Sequence, residues 1–292
     1  MKNSVDIDLC GHRKLSENRK RKNRAEKKQR KRDGMNHPTE KTYYVGIDIG
    51  STASKTVILD ETEIVDSFVL PTGWNGRETA CAIHEKLAEK GYAERMRCVA
   101  TGYGRICVDY ADKVVTEITC HGKGGWELFR KNATIIDVGG QDTKIIKVAD
   151  GQVSDFLMND KCAAGTGKFI EVMSTRLGAS LEEMYRLAAA GKPLAISAMC
   201  TVFAESEVIS HISAGENRED IAAGVIHSVA SRVANLASRF GINGDVALTG
   251  GLCASPYFIR VLSEKLGRPV ETHPFARYAG ALGAALTARK MG

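Results

Sequence analysis

No stretch of this 292-residue chain approaches the roughly 20 consecutive apolar residues of a membrane-spanning helix, which excludes a helical membrane protein. Its first residues are polar and basic and lack the apolar core of a secretory leader. Both absences predict a soluble, cytoplasmic protein. The eight cysteines (Cys10, Cys81, Cys98, Cys107, Cys120, Cys162, Cys200 and Cys253) contain no C-x-x-C pair. A disulfide-dense secreted scaffold and a one-chain zinc finger are therefore not expected. Nor do His84, His121, His211, His227 and His273 form an H-E-x-x-H pairing, so a zinc site is not expected. Aromatic residues make up 6% of the chain, and none falls in its most basic segment.

That segment holds most of the charge. Residues 1–41 carry 14 Lys or Arg against 6 Asp or Glu, a surplus of 8 in a chain of net +6, so the remainder is net −2. The run NRKRKNRAEKKQRKR (Asn18–Arg32) has too few apolar side chains to bury a core. It is read as a disordered or solvated extension rather than a nucleic-acid or membrane-surface arm, because the body is not basic and no aromatics interleave the charges. Met35 is an alternative start of translation.

From Tyr43 onward the pattern is α/β. Short β-branched runs separated by turn residues predict a three-strand meander, a helix over 76–91, a strand at RCVATG and another near Val114–Thr119. The theme of strand, glycine turn and strand then returns, followed by helices at roughly 165–177, 181–190, 201–214 and 217–240. DVALTGG reads as a buried strand, and SPYFIRVLSEKLG as a helix capped by Ser255 with Pro256 at its first position. PVETH reads as a last short strand and ARYAGALGAALTARK as a closing helix.

The main architectural feature is an internal repeat. VGIDIGSTASKTVIL (45–59) and IIDVGGQDTKIIKV (135–148) share one plan of apolar strand, Asp, Gly, small turn, Lys and apolar strand. The division expected is an extension at 1–41, one lobe at 42–133 plus about 276–292, and a second at 134–275. Glycines at a bend let backbone N–H groups approach phosphate oxygens, and an aspartate beside them is useful through a bridging Mg²⁺. Asp48 with Gly50, Ser51, Thr52 and Lys55 forms one candidate site, and Asp137 with Gly139, Gly140, Gln141, Asp142 and Thr143 the other. Gln141 or Asp142 is the candidate to orient an attacking water, or else serves as a turn contact. Gly250 and Gly251 after the DVALT strand offer a flat surface for a purine nucleoside. In this order the pieces resemble the phosphate-1, phosphate-2 and adenosine motifs of the actin-like ATPase superfamily. The resemblance implies ATP and Mg²⁺ in a cleft between two ribonuclease-H-like domains.

NDKCAAGTGK (Asn159–Lys168) ends like a P-loop but has Cys162 where that motif needs glycine, and Phe169 where it needs Ser or Thr. Cys162 stands ahead of a glycine turn and helix, and Cys200 in SAMCTVFAESEVI at a helix start. Helix N-termini favour a thiolate. Two thiolates cannot complete a four-cysteine iron–sulfur site, but a two-fold dimer supplies four. The other cysteines read as small buried packing residues.

VGIDIGSTASK, ATGYGR, DVGGQDTK, NDKCAAGTGKF, SAMCTVFAESEVI, LTGG and YAGALGAAL together resemble the ATP-dependent activators of 2-hydroxyacyl-CoA dehydratases, relatives of the ATPase subunits of benzoyl-CoA reductase. The match covers residues 43–290. It implies a homodimer sharing one [4Fe–4S] cluster, and ATP-driven delivery of a low-potential electron to an iron–sulfur dehydratase. A ferredoxin or flavodoxin is implied as the donor. The alternatives are a benzoyl-CoA reductase-type subunit in a hetero-oligomer, a small-molecule kinase of the superfamily, and a regulator whose basic tail binds nucleic acid.

Overall fold

The computed structural model describes residues 41–197 and 200–291, so the basic extension with Cys10 and Met35 lies outside the described residues. Two five-stranded sheets organise the chain. In the first, β1 (Tyr43–Ile49), β2 (Ala53–Leu59) and β3 (Ile64–Pro71) form the expected meander. Helix α1 (Gly76–Glu89) then leads to β4 (Met96–Thr101), parallel to β1, and to β5 (Lys113–Val114), giving the order β3-β2-β1-β4-β5. Cys98 lies within β4.

The second sheet repeats the plan with β6 (Ala133–Val138), β7 (Thr143–Ala149) and β8 (Gln152–Asn159), then adds β9 (Asp245–Gly250) and β10 (Val270–Glu271) in the order β10-β9-β6-β7-β8. Strands β1 and β6, central in their sheets, are buried along nearly their whole length, which is why they read as unbroken apolar runs.

Between β8 and β9 run α3 (Gly167–Arg176), α4 (Leu181–Ala190), α5 (Thr201–Ser213) and α6 (Arg218–Phe240); α7 (Pro256–Leu266) and α8 (Ala279–Arg289) close the chain. Sequence cues set several starts. Ser180 accepts from Glu183 N at 3.1 Å, and Ser255 from Phe258 N at 3.2 Å with Pro256 at the first helical position. The largest core lies where α3 to α7 cover one face of the second sheet, through Phe169, Ile170, Val229, Val233 and Phe258 against Ile136 and Ile145.

One segment departs from expectation. The strand near Val114–Thr119 shrinks to the two residues of β5, and Glu117–Phe129 forms a helix, α2, that the sequence pattern did not signal. Its core reads HGKGG, and each interior glycine costs about 1 kcal/mol of helix propensity relative to alanine. The glycines are there for contact. A Cβ on Gly124 would fall 1.8 Å from Ala279 O, and one on Gly283 of α8 would fall 1.8 Å from Cys120 O. Helices α2 and α8 therefore cross backbone to backbone, and tertiary packing rather than propensity makes α2 helical. The crossing exchanges partners: α2, which follows the first sheet in sequence, packs on Ile135, Ile146 and Ala247 of the second, whereas α8, which follows the second, packs on Tyr44, Val57 and Val99 of the first. The crossing thus sits between the lobes, directly beneath both glycine turns.

Candidate active site

The two repeated hairpins place their key residues in matching register. Asp48 pairs across the ladder with Lys55, and Asp137 with Lys144, so each carboxylate starts with an ammonium on the neighbouring strand. The turns then meet tip to tip. A Cβ on Gly140 would lie 2.1 Å from Thr52 Oγ1 and 3.1 Å from Ser51 Oγ, so the bare glycine backbone is what admits those hydroxyls. Lys55 Nζ stands 3.3 Å from where a Gly50 Cβ would be and 3.8 Å from Asp48 Oδ2. On the second hairpin Gly139 N donates to Asp142 O at 2.9 Å. Helix α3 is anchored to the same turn, since Gly167 N donates to Gly139 O at 2.9 Å and Lys168 N to Gly140 O at 2.7 Å. Gln141 is exposed at the tip, while Thr143 is buried with Oγ1 donating to Gly165 O at 2.6 Å.

Beyond register the repeat diverges. Lys55 keeps 18% of its side-chain exposure and leans on one aspartate, whereas Lys144 is fully buried among three carboxylates. Its Nζ lies 2.7 Å from Asp142 Oδ2, 2.9 Å from Glu117 Oε1 and 3.5 Å from Asp137 Oδ2. Asp137 is held on its other oxygen by Thr249 Oγ1, which donates at 2.8 Å, and by His121 Nε2 at 3.3 Å. His121 Nδ1 is 3.1 Å from Glu117 O, so both ring nitrogens face acceptors. Burial alone would lower the His121 pKa, but Asp137, Glu117 and Asp48 outweigh it and push the imidazole up to about 9. Burial likewise opposes ionisation of Asp137, yet His121 and Lys144 hold its carboxyl well below the usual range. Asp142 moves the other way, raised chiefly by burial.

Glu117, His121 and Asp137 bring ligand-type atoms within 4.8 Å of one another. The Lys144 ammonium already supplies the cation there, so this is an ion-pair network and not a metal pocket. Asp48 is different. It is buried, and its Oδ1 has no hydrogen-bond partner. Gly102 of the ATGYGR segment presses on that oxygen, with a would-be Cβ 2.4 Å away, in a backbone conformation of φ +86° that suits glycine. A buried, unsatisfied carboxylate oxygen beside two phosphate-type turns fits a Mg²⁺ ion or its bound water.

After β9, Gly250 adopts φ +84° with its would-be Cβ 2.3 Å from Val138 O, while nothing lies within 4 Å of that position on Gly251. The result is a flat, open backbone platform at the expected nucleoside position. Cys253 follows in a half-buried turn packed on the core, and burial pushes its thiol up to about 11.

The two singled-out cysteines lie on neighbouring segments. Cys200 is the N-cap residue of α5, and its side chain makes no capping hydrogen bond. Cys162 is half-buried in the loop ahead of α3, and Asn159 Nδ2 ties that loop down by donating to Cys162 O at 3.0 Å and Ala164 O at 3.3 Å. Helices α3 and α5 pack together and are joined by an Arg176–Glu205 ion pair. Val202 and Phe203, in the first turn of α5, are largely exposed.

His121, Lys144, Glu117 and Thr249 had not been singled out from sequence. Lys144 had a signal, because the repeat puts a lysine seven residues after each aspartate. Nothing local marked the other three, which come together only through the α2–α8 crossing and the β6–β9 pairing.

Two lobes, each a mixed sheet with its glycine turn aimed at the other, are the architecture of the actin-like ATPases. The chain belongs to the BadF/BadG/BcrA/BcrD ATPase family, whose sequence profile matches residues 45–288. It is 47% identical over 254 residues to the (R)-2-hydroxyglutaryl-CoA dehydratase activating ATPase of Acidaminococcus fermentans, covering 85% of this chain and 97% of that protein. The crystal structure of component A of the A. fermentans dehydratase superposes with a TM-score of 0.80 at 46% identity, over 86% of this chain and 98% of the other. The activator of 2-hydroxyisocaproyl-CoA dehydratase from Clostridium difficile, solved with bound ADPNP, also gives 0.80, at 39% identity over 86% and 95%. The expected fold and ATPase class are thereby met. Among the described residues no helix is long and apolar enough to cross a membrane.

Proposed function

We propose that this ATPase activates a 2-hydroxyacyl-CoA dehydratase-type iron–sulfur enzyme, as a homodimer whose two copies share one [4Fe–4S] cluster. What supports this most is the conjunction, in one chain, of a two-turn phosphate site and two uncommitted cysteines on neighbouring segments. Cys162 and Cys200 would hold the cluster with the same pair from a second copy, and the donor set fits. It is all thiol and half-exposed, with Cys200 at a helix start where thiolates are favoured and Cys162 in the loop ahead of α3, and it is bordered by the exposed Val202 and Phe203. When bound, such a cluster supplies a low-potential electron to the dehydratase, with a ferredoxin or flavodoxin as the source.

The remaining roles belong to the chain's own groups. Backbone N–H groups of Gly50–Thr52 and of the Gly140–Asp142 turn tip bind the ATP phosphates, with Gly139 and Thr143 closing the turn beneath them, Lys55 balances their charge, and Gly250 and Gly251 bear the adenosine. Asp48 Oδ1 takes the Mg²⁺ or a water on it. Asp137 stays locked by Thr249, His121 and Lys144 and keeps the second turn in place, while Gln141 or Asp142 orients the attacking water. Because α3 is hydrogen-bonded to the Gly139–Gly140 turn, a change of nucleotide at that turn is passed to the Cys162 loop and, through Arg176–Glu205, to α5. Differential affinity for ATP and ADP in two lobe arrangements supplies the coupling.

The test is oxygen-free purification with iron, sulfide and native mass measured together. Four irons and four sulfides per dimer, with ATP turnover that needs no added sugar or acid acceptor, is the expected result. Colourless, iron-free monomers refute the cluster reading. An obligate complex with sister subunits points instead to a benzoyl-CoA reductase-type assembly, and acceptor-dependent turnover to a kinase.

A further inference from the structure

A cavity of about 580 Å³ lies between the end of edge strand β8 and the C-terminal half of α6, with Thr143 of the second glycine turn on its wall. Its wall includes Arg232, Asn235, Ser238 and Arg239 of α6, facing Asn159 and Gly165 of the Cys162 loop. Two guanidiniums line it and no carboxylate does. Among the described residues neither arginine has an ion pair. This is unusual company: two like charges on one wall, with amide and hydroxyl groups between them and no counter-charge.

The helix explains the convergence. Residues seven apart lie on one face, two turns or about 10.5 Å along the axis, and both side chains are long enough to reach one ligand from either end. Ala234 and Ala237 occupy the opposite, buried face, so the polar stripe is fixed in orientation by the core. Arg232 is itself positioned: a Cβ on Gly165 would lie 2.8 Å from its Cγ, so the absence of a side chain at 165, where φ is +87°, is what seats the arginine stem against the loop. Planar forks with five donors each match an oxyanion in geometry and charge, whereas a cation would meet two like charges here; Met158, Val233 and Leu236 supply the apolar part of the wall.

We propose that this cavity is a second ligand site, an oxyanion site of the phosphate type formed by Arg232 and Arg239 on α6, adjoining the second glycine turn, with which it shares Thr143. Asn235 and Ser238 add neutral donors. The site backs onto the loop that Asn159 and Thr143 hold through Cys162 O, Ala164 O and Gly165 O, so a bound anion braces that loop from behind. The proposal does not depend on the cluster reading, since the loop is placed by these hydrogen bonds alone.

Calorimetry on the full chain, with the nucleotide site saturated by ADP, tests it by titrating inorganic phosphate and, in separate runs, sulfate and succinate. The expected result is one phosphate per chain, competed by sulfate and weakened at least tenfold in Arg232→Gln and in Arg239→Gln, with basal ATP turnover unchanged. Arg232→Lys, which keeps the charge and loses the fork, should fall between. Absence of phosphate binding to the ADP-loaded wild type overturns the proposal, as does binding that survives both glutamine variants. Binding of succinate without phosphate overturns the phosphate assignment. The wild-type competition by sulfate needs no variant, so a substitution that fails to fold does not remove the test.

Discussion

His121 Nε2 lies 3.3 Å from Asp137 Oδ1, joining α2, which crosses beneath both lobes, to the aspartate of the second phosphate turn. The imidazole is fully buried and its pKa is raised to about 9 from an ordinary value near 6.5. A group whose folded value is raised contributes stability that is fully present below the unfolded value and is lost as pH rises through the folded one. The protein should therefore lose on the order of 3 kcal/mol of unfolding free energy between about pH 6.5 and pH 9, and His121→Gln should flatten that limb. Denaturant melts across this window decide it; equal slopes in both proteins would show that the imidazole carries no charge in the folded state.

The two aspartates of the repeat should fail in different ways. Asp48 has an unsatisfied oxygen at the turns, whereas every oxygen of Asp137 is engaged inside the protein. Asp48→Asn is expected to lower ATP turnover at least about 100-fold while moving stability by under ~1 kcal/mol. Asp137→Asn leaves the buried His121 without its nearest counter-charge, while Lys144 keeps Asp142 and Glu117, and should cost about 3 kcal/mol. Phosphate release and thermal melts, run on both variants, separate a chemical defect from a structural one. If Asp137→Asn melts like wild type, the clamp is not what holds the second turn.

What could be read from the sequence was whatever local chemistry writes down. Alternating β-branched runs gave the sheets, Ser255–Pro256 gave the start of α7, and a two-fold repeat gave the opposed turns. Helix α2 escaped because HGKGG argues against a helix, and its glycines are explained only by a backbone crossing with α8, more than 150 residues away. Lys144 could have been found from its equivalence to Lys55. His121 and Thr249 could not, since each reaches Asp137 from an element whose position is a tertiary fact. Cys200 was legible because an N-cap is a local feature, and α5 does begin directly after it.

Glycine substitutions test the crossing directly. In Gly283→Ala the added methyl meets Cys120 O at 1.8 Å, a backbone atom that cannot turn aside. A loss of about 3 kcal/mol or more is expected, at the upper end of overpacking costs because two helices must separate. Gly251→Ala adds its methyl to open space, so its melt should match wild type while its nucleotide affinity falls. Were Gly283→Ala to melt within 1 kcal/mol of wild type, the helices would not be in backbone contact.

The cysteines should divide by setting. A cluster ligand must be a thiolate, and burial works against that form: it pushes Cys120 and Cys253 up to about 11, so both stay protonated near neutral pH. Cys162 and Cys200 are half-exposed, the first in the loop ahead of α3 and the second at the start of α5, and Arg176–Glu205 ties the start of α5 to the end of α3. Cys162→Ala and Cys200→Ala should therefore each abolish iron and sulfide in oxygen-free material, because losing one ligand per copy removes two of the four. Cys200→Ala should leave metal-free stability within about 1 kcal/mol, and Cys162→Ala, at the margin of the main core, should cost about 1 kcal/mol. Cys253→Ala should keep its full iron content, and Cys120→Ala should keep iron while losing some stability at the α2–α8 crossing. Retention of iron in the Cys162 variant with loss in the Cys253 variant would move the ligand assignment to the nucleoside side of the cleft.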